Sequence, residues 1–578
     1  MTAVSRTGVR ESGPAGLSRW LTALCIATLL AAVGLRVVAL RSDPYAGLSW
    51  SSALLTDEGF YTHNARNVAL FGHARTDEFN NELIMPALHF VQVGVFRLFG
   101  AGVLQARAIS VLLGLLSLPI LFSALRRAMG VRVAAIATLF LGLDHVSLLY
   151  SRMALMDTPA SFVAICAFAA WVRGVEREGK GGCWLVAAGA LFGGLLAVRG
   201  LALFVFPASL IALSGGRREG LRRGLWICAG LCIALGAYLV LWWLPHRVEL
   251  ARADGFYILA QLSPHGPGAI RANLTNALFG YSQGMAAYLL RHSPVLAGLS
   301  IWYLLAVRPA AGRSPAERFL TAWLVIGWAL LALTRYPAPR YYVLFYPALA
   351  GTAAIALDRL AAGERRTLSA TGAGLFGGFA AYHLLLLALH DRHGVAAVIL
   401  YGAPFVVAVA VYERCAHRTE ALRRAPAHML AAAIAAFLLL DGLWLGHWLT
   451  HLECRRSTED CLLGRWAPSG TVMIGDAAPA LCMDNGFVAA PVIPGLANDM
   501  APLEQFAGSR RCVVIVEGRR NTGWWQSRYP GVISPGNRRF LFRSVAGLMV
   551  GVYPVPADVH ATTQGEEQVY ATTQGGER

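Results

Sequence analysis

The sequence predicts an α-helical polytopic membrane protein of about 13 transmembrane helices, followed by a small extracytoplasmic α/β domain. Only 14% of the 578 residues are charged, whereas an average soluble domain has about 25%. Apolar runs, each about as long as the ~20 residues that cross a bilayer, recur through 20–448. The segment 449–578 is more polar and contains short β-like runs. These observations exclude a soluble enzyme with a single buried core.

The predicted spans are apolar runs that lie between charged clusters. They lie near 20–40, 104–125, 133–149, 157–172, 184–198, 200–214, 224–244, 294–307, 319–334, 341–357, 368–389, 394–412 and 428–448. The first run follows a basic segment, as a signal peptide does. We interpret it as a transmembrane helix, because it is long and no small-residue cleavage site follows it.

Every second connection between the spans is basic, as the positive-inside rule requires. The basic clusters are Arg126, Arg127 and Arg132; Arg173, Arg177 and Lys180; Arg217, Arg218, Arg222 and Arg223; Arg308, Arg313 and Arg318; Arg359, Arg365 and Arg366; and Arg414, Arg418, Arg423 and Arg424. The tail 1–19 is therefore predicted to be cytoplasmic, and an odd number of spans places the carboxyl terminus outside. The net charge of +17 then indicates topology rather than nucleic-acid binding, since no basic stripe with interleaved aromatics appears.

The external connections are long. Within the transmembrane domain 20–448 they include 41–103 and 245–293, and the segment 449–558 is predicted to be an α/β domain with β-like runs at 471–476, 512–517, 540–545 and 547–553. Its cysteines are Cys454, Cys461, Cys482 and Cys512. In an external compartment they predict at least one disulfide, and a zinc site is the less favoured alternative. The nine-residue phrase at 559–567 recurs at 569–577, so 559–578 is predicted to be a disordered tail.

Two adjacent acids, Asp57 and Glu58, lie in the first external segment. Acids near lipid are costly, so these two either face water or serve a site. A solvated loop is the ordinary interpretation of an acidic pair alone. Helical spacing, however, places Tyr61 and Ala65 along the face of Asp57, with Arg66 next in the chain, and this pattern favours a site.

A third acid, Asp157, follows the third predicted span. It is either the N-cap of the fourth span, with Pro159 in the first turn, or a functional acid, and both interpretations are compatible.

Several cationic residues lie on the external side, where the positive-inside rule does not require them. With one neighbouring tyrosine, they are Arg152, Arg199, His246, Arg247, Arg335, Arg340 and Tyr341. One such residue alone would indicate interfacial snorkelling. Several on one side, with the acids, indicate a site that binds a phosphate beside a carboxylate. The only lysine, Lys180, is on the predicted cytoplasmic side, so external cationic roles fall to arginine or histidine.

The sequence contains no GxxxxGK[ST], no strand–GxGxxG–helix pattern, no HExxH and no GxSxG in a strand–helix turn. ATP-driven transport, redox chemistry and hydrolysis are therefore less favoured.

The order and predicted sidedness of these motifs resemble the C-type (GT-C) glycosyltransferases, within them the dolichyl-phosphate-mannose protein mannosyltransferases and the bacterial aminoarabinose transferases of lipid A. The matching residues are Asp57-Glu58-Gly59-Phe60-Tyr61 with Ala65-Arg66, Pro86-Ala87-Leu88, Ala106-Arg107, Ser151-Arg152 through Asp157-x-Pro159, Val198-Arg199-Gly200, and Arg340-Tyr341 leading to Tyr346-Pro347. The resemblance covers roughly residues 20–360 well and the rest in architecture only.

The resemblance implies an enzyme of a bacterial-type inner membrane that transfers a sugar from a polyprenyl-phosphate donor to a hydroxyl acceptor in a lipid, glycan or protein, on the extracytoplasmic face. It implies that Asp57 orients or deprotonates the acceptor, with Asp157 and Glu58 as further catalytic candidates. The residues expected to bind the donor phosphate or the substrate are Arg340, Tyr341, Arg199, Arg247, Arg152, Tyr61, Arg66, His246 and Arg335.

The sequence departs from the family pattern at one position. Many members have a Lys-Pro-Pro-Leu stretch whose lysine reaches the donor phosphate, whereas this chain reads Met85-Pro86-Ala87-Leu88. Either an arginine compensates, or the donor is held differently, or the activity has diverged. At Arg199-Gly200 the family's lysine is replaced by arginine, which keeps the charge and adds bidentate geometry.

Alternative functions are a polytopic lipid or sugar transporter and a catalytically divergent protein with the same fold. A transporter is less favoured because the acids cluster outside the spans and no half-to-half repeat is evident. The exception, Asp441, is interpreted as a polar contact between helices. No cofactor is implied with certainty, and a divalent cation at Asp57 and Glu58 is an open alternative.

Overall fold

The computed structural model describes residues 15–51, 53–73, 81–177, 180–214, 217–251, 267–280, 283–306, 314–334, 336–361, 378–379, 381–386, 388–389, 425–494, 498, 501–506, 511–544 and 547–556. The predicted disordered tail 559–578 and most of the predicted cytoplasmic tail 1–19 lie outside the described residues.

The described chain is mostly helical up to residue 466. Its helices are α1 (Ala15–Val37), α2 (Ala53–Phe60), α3 (His63–Phe71), α4 (Asn81–Ile84), α5 (Pro86–Phe99), α6 (Val103–Met129), α7 (Val131–Leu143), α8 (His145–Tyr150), α9 (Asp157–Glu176), α10 (Gly182–Gly194), α11 (Leu196–Arg199), α12 (Val205–Ile211), α13 (Arg217–Tyr238), α14 (Pro267–Phe279), α15 (Met285–His292), α16 (Pro294–Ala306), α17 (Pro315–Leu333), α18 (Tyr346–Ala361), α19 (Ala425–Thr450) and α20 (Arg455–Trp466). Short 3-10 helices lie at Ala46–Leu48, Gly200–Phe204 and Pro339–Leu344, and a π-helix at Leu239–Trp243.

Six helices among the described residues are long and apolar enough to cross a membrane. They span Val103–Met129, Asp157–Glu176, Gly182–Ile211, Arg218–Trp243, Pro315–Leu333 and Leu430–Trp466. Four shorter apolar helices lie at Thr22–Val37, Pro86–Phe99, Val131–Leu143 and Pro294–Leu305. The multi-pass helical class is confirmed, but the described residues do not reproduce the predicted count of 13 spans.

The difference in count has three sources. The predicted spans near 20–40, 133–149, 294–307 and 341–357 correspond to shorter helices, Thr22–Val37, Val131–Leu143, Pro294–Leu305 and Tyr346–Ala361. Most of the predicted span 368–389 and all of 394–412 lie outside the described residues. The predicted spans near 184–198 and 200–214 are joined by short helical turns around Arg199 and so count as one apolar run of helical residues, Gly182–Ile211.

Glycines allow close contact between two of the long helices, α10 and α13. A Cβ on Gly189 would lie 1.9 Å from the Ile227 carbonyl oxygen, and a Cβ on Gly230 would lie 1.9 Å from that of Val186. Small residues permit such close backbone approach in membrane helix pairs. On its outer face α13 exposes apolar side chains such as Leu221 and Ile233, as a lipid-facing helix does.

Asp441 of α19 contacts the first residue of α8. Its Oδ1 accepts hydrogen bonds from the His145 backbone N–H and from the ring nitrogen Nδ1, both at 2.8 Å. The predicted polar contact between helices is therefore present.

The C-terminal part forms a five-stranded mixed sheet with β1 (Val472–Ile474), β2 (Val488–Ala490), β3 (Cys512–Glu517), β4 (Phe540–Arg543) and β5 (Met549–Pro554) in the order β2-β1-β3-β5-β4. Strand β1 runs parallel to β2 and β3, whereas β5 is antiparallel to β3 and β4. Two helices, α21 (Pro502–Phe506) and α22 (Gly518–Arg528), and a 3-10 turn at Ala480–Cys482 accompany the sheet. The small C-terminal sheet was predicted from the β-like runs.

The predicted disulfide is not formed. Cys454, Cys461 and Cys482 are free thiols among the described residues. The reason lies in the sheet: Cys512 packs with Val514 and Val516 on one face, whereas Cys482 packs with Val513 on the other.

Candidate active site

Asp57 forms a buried ion pair with Arg340. Asp57 lies on the two-turn helix α2, and Arg340 lies on the 3-10 turn that precedes α18. Arg340 donates from Nη1 to Asp57 Oδ2, and both residues are at most 7% exposed. Burial raises the pKa of Asp57 to about 6, with a further rise from Asp157, although Arg340 opposes the shift. Asp57 is therefore a desolvated carboxylate that still ionises near neutral pH.

A second carboxylate–arginine pair lies beside the first. Arg199, the last residue of α11, has Nη1 2.9 Å from Oδ1 of Asp157, the first residue of α9. This contact lacks hydrogen-bond geometry, and both carboxylate oxygens of Asp157 are buried without a hydrogen bond. At the first turn of α9, the Asp157 charge also interacts favourably with the helix dipole.

The ring of Tyr341 lies against both guanidinium groups. Its centroid is 4.5 Å from the Arg199 guanidinium carbon and 5.0 Å from that of Arg340. Tyr61, four residues after Asp57, is also buried and interacts electrostatically with Arg340, Asp57, Tyr341 and Arg199, and its burial raises the pKa of its hydroxyl. We call Asp57, Tyr61, Asp157, Arg199, Arg340 and Tyr341 the paired-charge cluster.

The paired-charge cluster retains unused hydrogen-bonding capacity. Arg340 Nε and Arg199 Nε and Nη1 are buried and have no hydrogen-bond partner among the described residues. A buried donor without a partner is unfavourable, and such groups occur at sites that bind something. Guanidinium N–H groups are strong donors to phosphate oxygens. The geometry therefore suits an anion held next to two carboxylates.

Glu58, a catalytic candidate from the sequence, lies away from this cluster. It is 0% exposed and accepts hydrogen bonds from Arg107 at 2.7 and 2.6 Å, from Arg456 at 2.9 Å and from the Ala154 backbone N–H at 2.8 Å. Burial alone would raise its pKa, but Arg107 and Arg456 lower it to about 2. The Glu58 carboxylate is thus permanently ionised and fully engaged with protein groups.

The structure does not bring four other predicted residues to the cluster. Arg66 donates to the Phe487 carbonyl at 2.7 Å and to that of Asn485, and Arg152 donates to the carbonyls of Leu35 at 2.6 Å and Ala39 at 2.9 Å. His246 stacks on Trp242 with ring centroids 4.3 Å apart, and Arg247 is exposed. Arg66, Arg152 and His246 therefore contact backbone carbonyl oxygens, and Arg247 is exposed at the surface. Arg335 lies outside the described residues.

The sequence alone does not predict that Arg107 and Arg456 pair with Glu58. Arg107 appeared only within the Ala106-Arg107 motif, and its proximity to Glu58 had no local signal. Arg456 is one of many arginines in the C-terminal part, and 398 residues separate it from Glu58. Only the burial of both arginines beside a buried acid distinguishes them.

The adjacent acids Asp57 and Glu58 do not fit a divalent cation as a pair. Glu58 is occupied by two arginines and Asp57 by Arg340. Within the described ranges, no group of three or more His, Cys, Asp or Glu side chains forms a candidate metal site.

Comparisons with known proteins found a matching family and similar folds. Residues 85–243, which contain Asp157 and Arg199, match the dolichyl-phosphate-mannose-protein mannosyltransferase family. No curated protein sequence matches the chain.

Solved structures with a similar fold include two crystal structures of ArnT from Cupriavidus metallidurans, in the apo state (TM-score 0.56) and bound to undecaprenyl phosphate (TM-score 0.54). In both comparisons the identity is 18%, with 93% of this chain and 98% of that chain covered. The archaeal oligosaccharyltransferase AglB from Archaeoglobus fulgidus, in complex with an inhibitory peptide and a dolichol-phosphate, has a TM-score of 0.48 at 13% identity, covering 95% of this chain and 75% of that chain. The resemblance inferred from the sequence is thereby confirmed: the chain matches the protein mannosyltransferase family over residues 85–243 and has the fold of the GT-C glycosyltransferase ArnT.

Proposed function

We propose that the protein is a membrane glycosyltransferase that moves a sugar from a polyprenyl-phosphate donor to a hydroxyl acceptor on the extracytoplasmic face. The observation that carries this proposal is the paired-charge cluster, in which two buried carboxylates face two arginines with unused donors. Such a site binds a phosphate and a hydroxyl side by side, which is what sugar transfer from a lipid phosphate requires.

In the proposed reaction, the acceptor oxygen forms a bond to the anomeric carbon as the bond from that carbon to the phosphate oxygen breaks. The bonding electrons leave with the polyprenyl phosphate, and the hydroxyl proton passes to a carboxylate. Arg340 and Arg199 stabilise the negative charge that grows on the leaving phosphate, since preorganised donors in a buried site act strongly on developing charge.

Asp57 is the proposed proton acceptor. A carboxylate with a pKa of about 6 is mostly ionised at neutral pH and is a somewhat stronger base than an ordinary aspartate. The donor phosphate competes with Asp57 for Arg340, which would free the carboxylate to orient the acceptor hydroxyl. Asp157 keeps Arg199 in place against Tyr341.

The two arginines also address the departure at Met85. This residue is fully buried at the start of α5 and brings no charge. Arg199 and Arg340 together provide two guanidinium groups for the phosphate, so the proposed donor site does not need a lysine at position 85. ArnT has been crystallised with undecaprenyl phosphate, and this supports a polyprenyl phosphate as the donor carrier here.

The proposed face follows from the connections that meet at the cluster. Asp57, Asp157, Arg199 and Arg340 lie in or next to connections that alternate with the basic, cytoplasmic ones along the sequence. Their convergence at one place supports a site at one membrane surface.

The test uses the full chain in lipid nanodiscs with a panel of polyprenyl-phosphate sugars and hydroxyl acceptors. Release of polyprenyl phosphate and mass analysis of the acceptor measure transfer. Asp57→Asn is expected to lower turnover by about 100-fold or more, as loss of a positioned base does, while donor binding is retained. The matched control is Asp358→Asn, which removes an aspartate paired with Arg132 at the opposite, predicted cytoplasmic side. Equal turnover of Asp57→Asn and wild type, or no donor consumed by wild type with any sugar tested, would contradict the proposal.

A further inference from the structure

Glu58 joins three separate parts of the molecule. Its carboxylate accepts from Arg107 of α6, from the Ala154 amide in the turn before α9, and from Arg456 of α20, which leads into the C-terminal sheet. All three side chains, Glu58, Arg107 and Arg456, are buried. A buried charge left without its partner is strongly destabilising, so this arrangement constrains where α2 lies.

Arg456 is itself held in place by the start of its own helix. Asp43 Oδ2 accepts from the backbone N–H of Arg455 at 2.7 Å and lies 3.4 Å from the N–H of Arg456. The Asp43 N–H donates to the Glu453 carbonyl at 2.7 Å. The first turn of α20 is thereby capped by a residue of the first external segment, and the Arg456 side chain starts from a fixed position.

The C-terminal domain contacts the helices next to Asp57 at further points. A Cβ on Gly59 would lie only 2.3 Å from the Pro479 carbonyl carbon, so the α2 backbone packs directly on the turn that contains Ala480–Cys482. In α3, Arg66 donates to the Phe487 carbonyl at 2.7 Å and Asn67 to that of Ala489 at 3.1 Å. These contacts join α2 and α3 to the domain that carries Arg456.

From this geometry we infer that Arg456 of the C-terminal domain is a positioning residue for sugar transfer: through Glu58 it fixes the rotation of α2 that directs Asp57 to Arg340. The inference rests on the proposed function. Successive residues on an α-helix point about 100° apart, so holding Glu58 sets the direction of Asp57. A helix of eight residues does not hold itself in place, and its orientation must come from such outside contacts.

The test compares Arg456→Ala, Arg456→Lys and Arg455→Ala in the full chain. Arg455 is the matched control because it is the neighbouring residue on α20 and its side chain is about half exposed and pairs with exposed Glu453. Two quantities are measured: hydrogen–deuterium exchange of the peptide that contains α2, and kcat and donor KM for transfer. Exchange of the peptide containing β3 reports whether the C-terminal domain remains folded.

Arg456→Ala is expected to speed exchange in α2 and to lower kcat by about 10- to 100-fold, the loss that a displaced catalytic group produces, with donor KM unchanged. Arg456→Lys keeps the charge and is expected to restore part of both properties, and Arg455→Ala to match wild type. If Arg456→Ala also speeds exchange in β3, the domain has unfolded and Arg456→Lys decides instead. Two results would overturn the inference. One is exchange in α2 that matches wild type in both Arg456 variants, and the other is faster exchange in α2 with an unchanged kcat.

The exchange measurement separates this inference from the proposed function, because it needs no substrate. If wild type transfers no sugar while Arg456→Ala still loosens α2 and Arg455→Ala does not, the proposed function fails and the mechanical link between Arg456 and α2 is supported.

Discussion

The two adjacent acids in α2 have opposite chemical properties, although their sequence positions differ by one. Asp57 faces Arg340 in a desolvated site, and burial raises its pKa to about 6. Glu58 faces two arginines, and its pKa is lowered to about 2. Environments that separate the pKa values of neighbouring carboxyl groups are typical of sites where one of them exchanges protons and the other does not.

This difference predicts the pH dependence of transfer. As the pH falls through about 6, Asp57 becomes protonated and no longer accepts the hydroxyl proton, so kcat/KM is expected to fall about tenfold per pH unit below that value. Glu58 stays ionised in this pH range, so its titration does not contribute to the pH–rate profile. The charged and titratable groups that interact with Asp57 are Arg340, Asp157, Arg199, Tyr61 and Tyr336.

The measurement is a pH–rate profile from about pH 4.5 to 8, with tryptophan fluorescence at each pH to show that the protein remains folded. Since the folded-state pKa of Asp57 is raised above its unfolded value, ionisation of this group destabilises the fold as the pH rises from about 4 to 6. Unfolding at low pH therefore cannot come from Asp57. A rate that stays constant down to pH 5 would contradict the assignment.

At the scale of elements, short helices position three of the four charged residues of the site. Asp57 lies on the eight-residue helix α2, Arg199 ends the four-residue helix α11, and Arg340 lies on a six-residue 3-10 turn. Short helices depend on packing for their stability. The contact between α2 and the turn at 479–480 is therefore expected to be sensitive to a single added methyl group.

We predict that Gly59→Ala weakens this contact. The new Cβ would meet backbone atoms of Pro479 and Ala480 at 2.3 and 2.4 Å, and the required displacement is expected to cost about 1–3 kcal/mol and to reduce turnover. The measurements are the Tm and the transfer rate of the variant.

The control is Gly94→Ala in the neighbouring helix α5, where a Cβ would have no atom within 4 Å. Alanine in a helix interior is favoured over glycine by about 0.5–1 kcal/mol, so this variant is expected to be neutral or slightly stabilised. Equal Tm values for the two variants would show that the close approach at Gly59 is absent.

At the scale of the whole molecule, the proposed topology places the C-terminal domain on the opposite side of the membrane from the loop that contains Lys180. In this proposed topology, the exposed thiols of Cys454 and Cys461 lie on the side of the C-terminal domain, and the exposed thiol of Cys183, at the start of α10, lies on the opposite side. These thiols provide a direct test of sidedness.

A membrane-impermeant maleimide added to right-side-out vesicles is expected to modify Cys454 and Cys461 and to leave Cys183 unmodified until the vesicles are permeabilised. Peptide mass spectrometry identifies the modified residues, and Cys454→Ser and Cys461→Ser variants check the assignment. Modification of Cys183 in sealed vesicles would contradict the proposed topology. If the maleimide modifies Cys454 and Cys461 only after a reductant is added, these cysteines form a disulfide, in contrast to the free thiols of the structure.

Patterns read along the chain were sufficient to predict a membrane protein with a small C-terminal sheet. Apolar length and the alternation of basic loops are local properties of the chain, and they predict a multi-pass helical protein. The spacing of the acids, the external arginines and the order of the family motifs predict Asp57, Asp157, Arg199 and Arg340 as candidate site residues. The β-like runs likewise indicated the C-terminal sheet. Each of these inferences depends only on neighbours in sequence.

Which charged residues contact one another is visible only in the folded structure. Asp57 and Arg340 are 283 residues apart, and Glu58 and Arg456 are 398 apart, so no local pattern links them. The structure also separated Arg66 and Arg152, which bond to carbonyls, from the arginines of the site, and placed Cys482 and Cys512 on opposite faces of the sheet. The physical reason is that electrostatic pairing and burial depend on distance in space, which helix packing sets, whereas hydropathy and net charge are read along the chain.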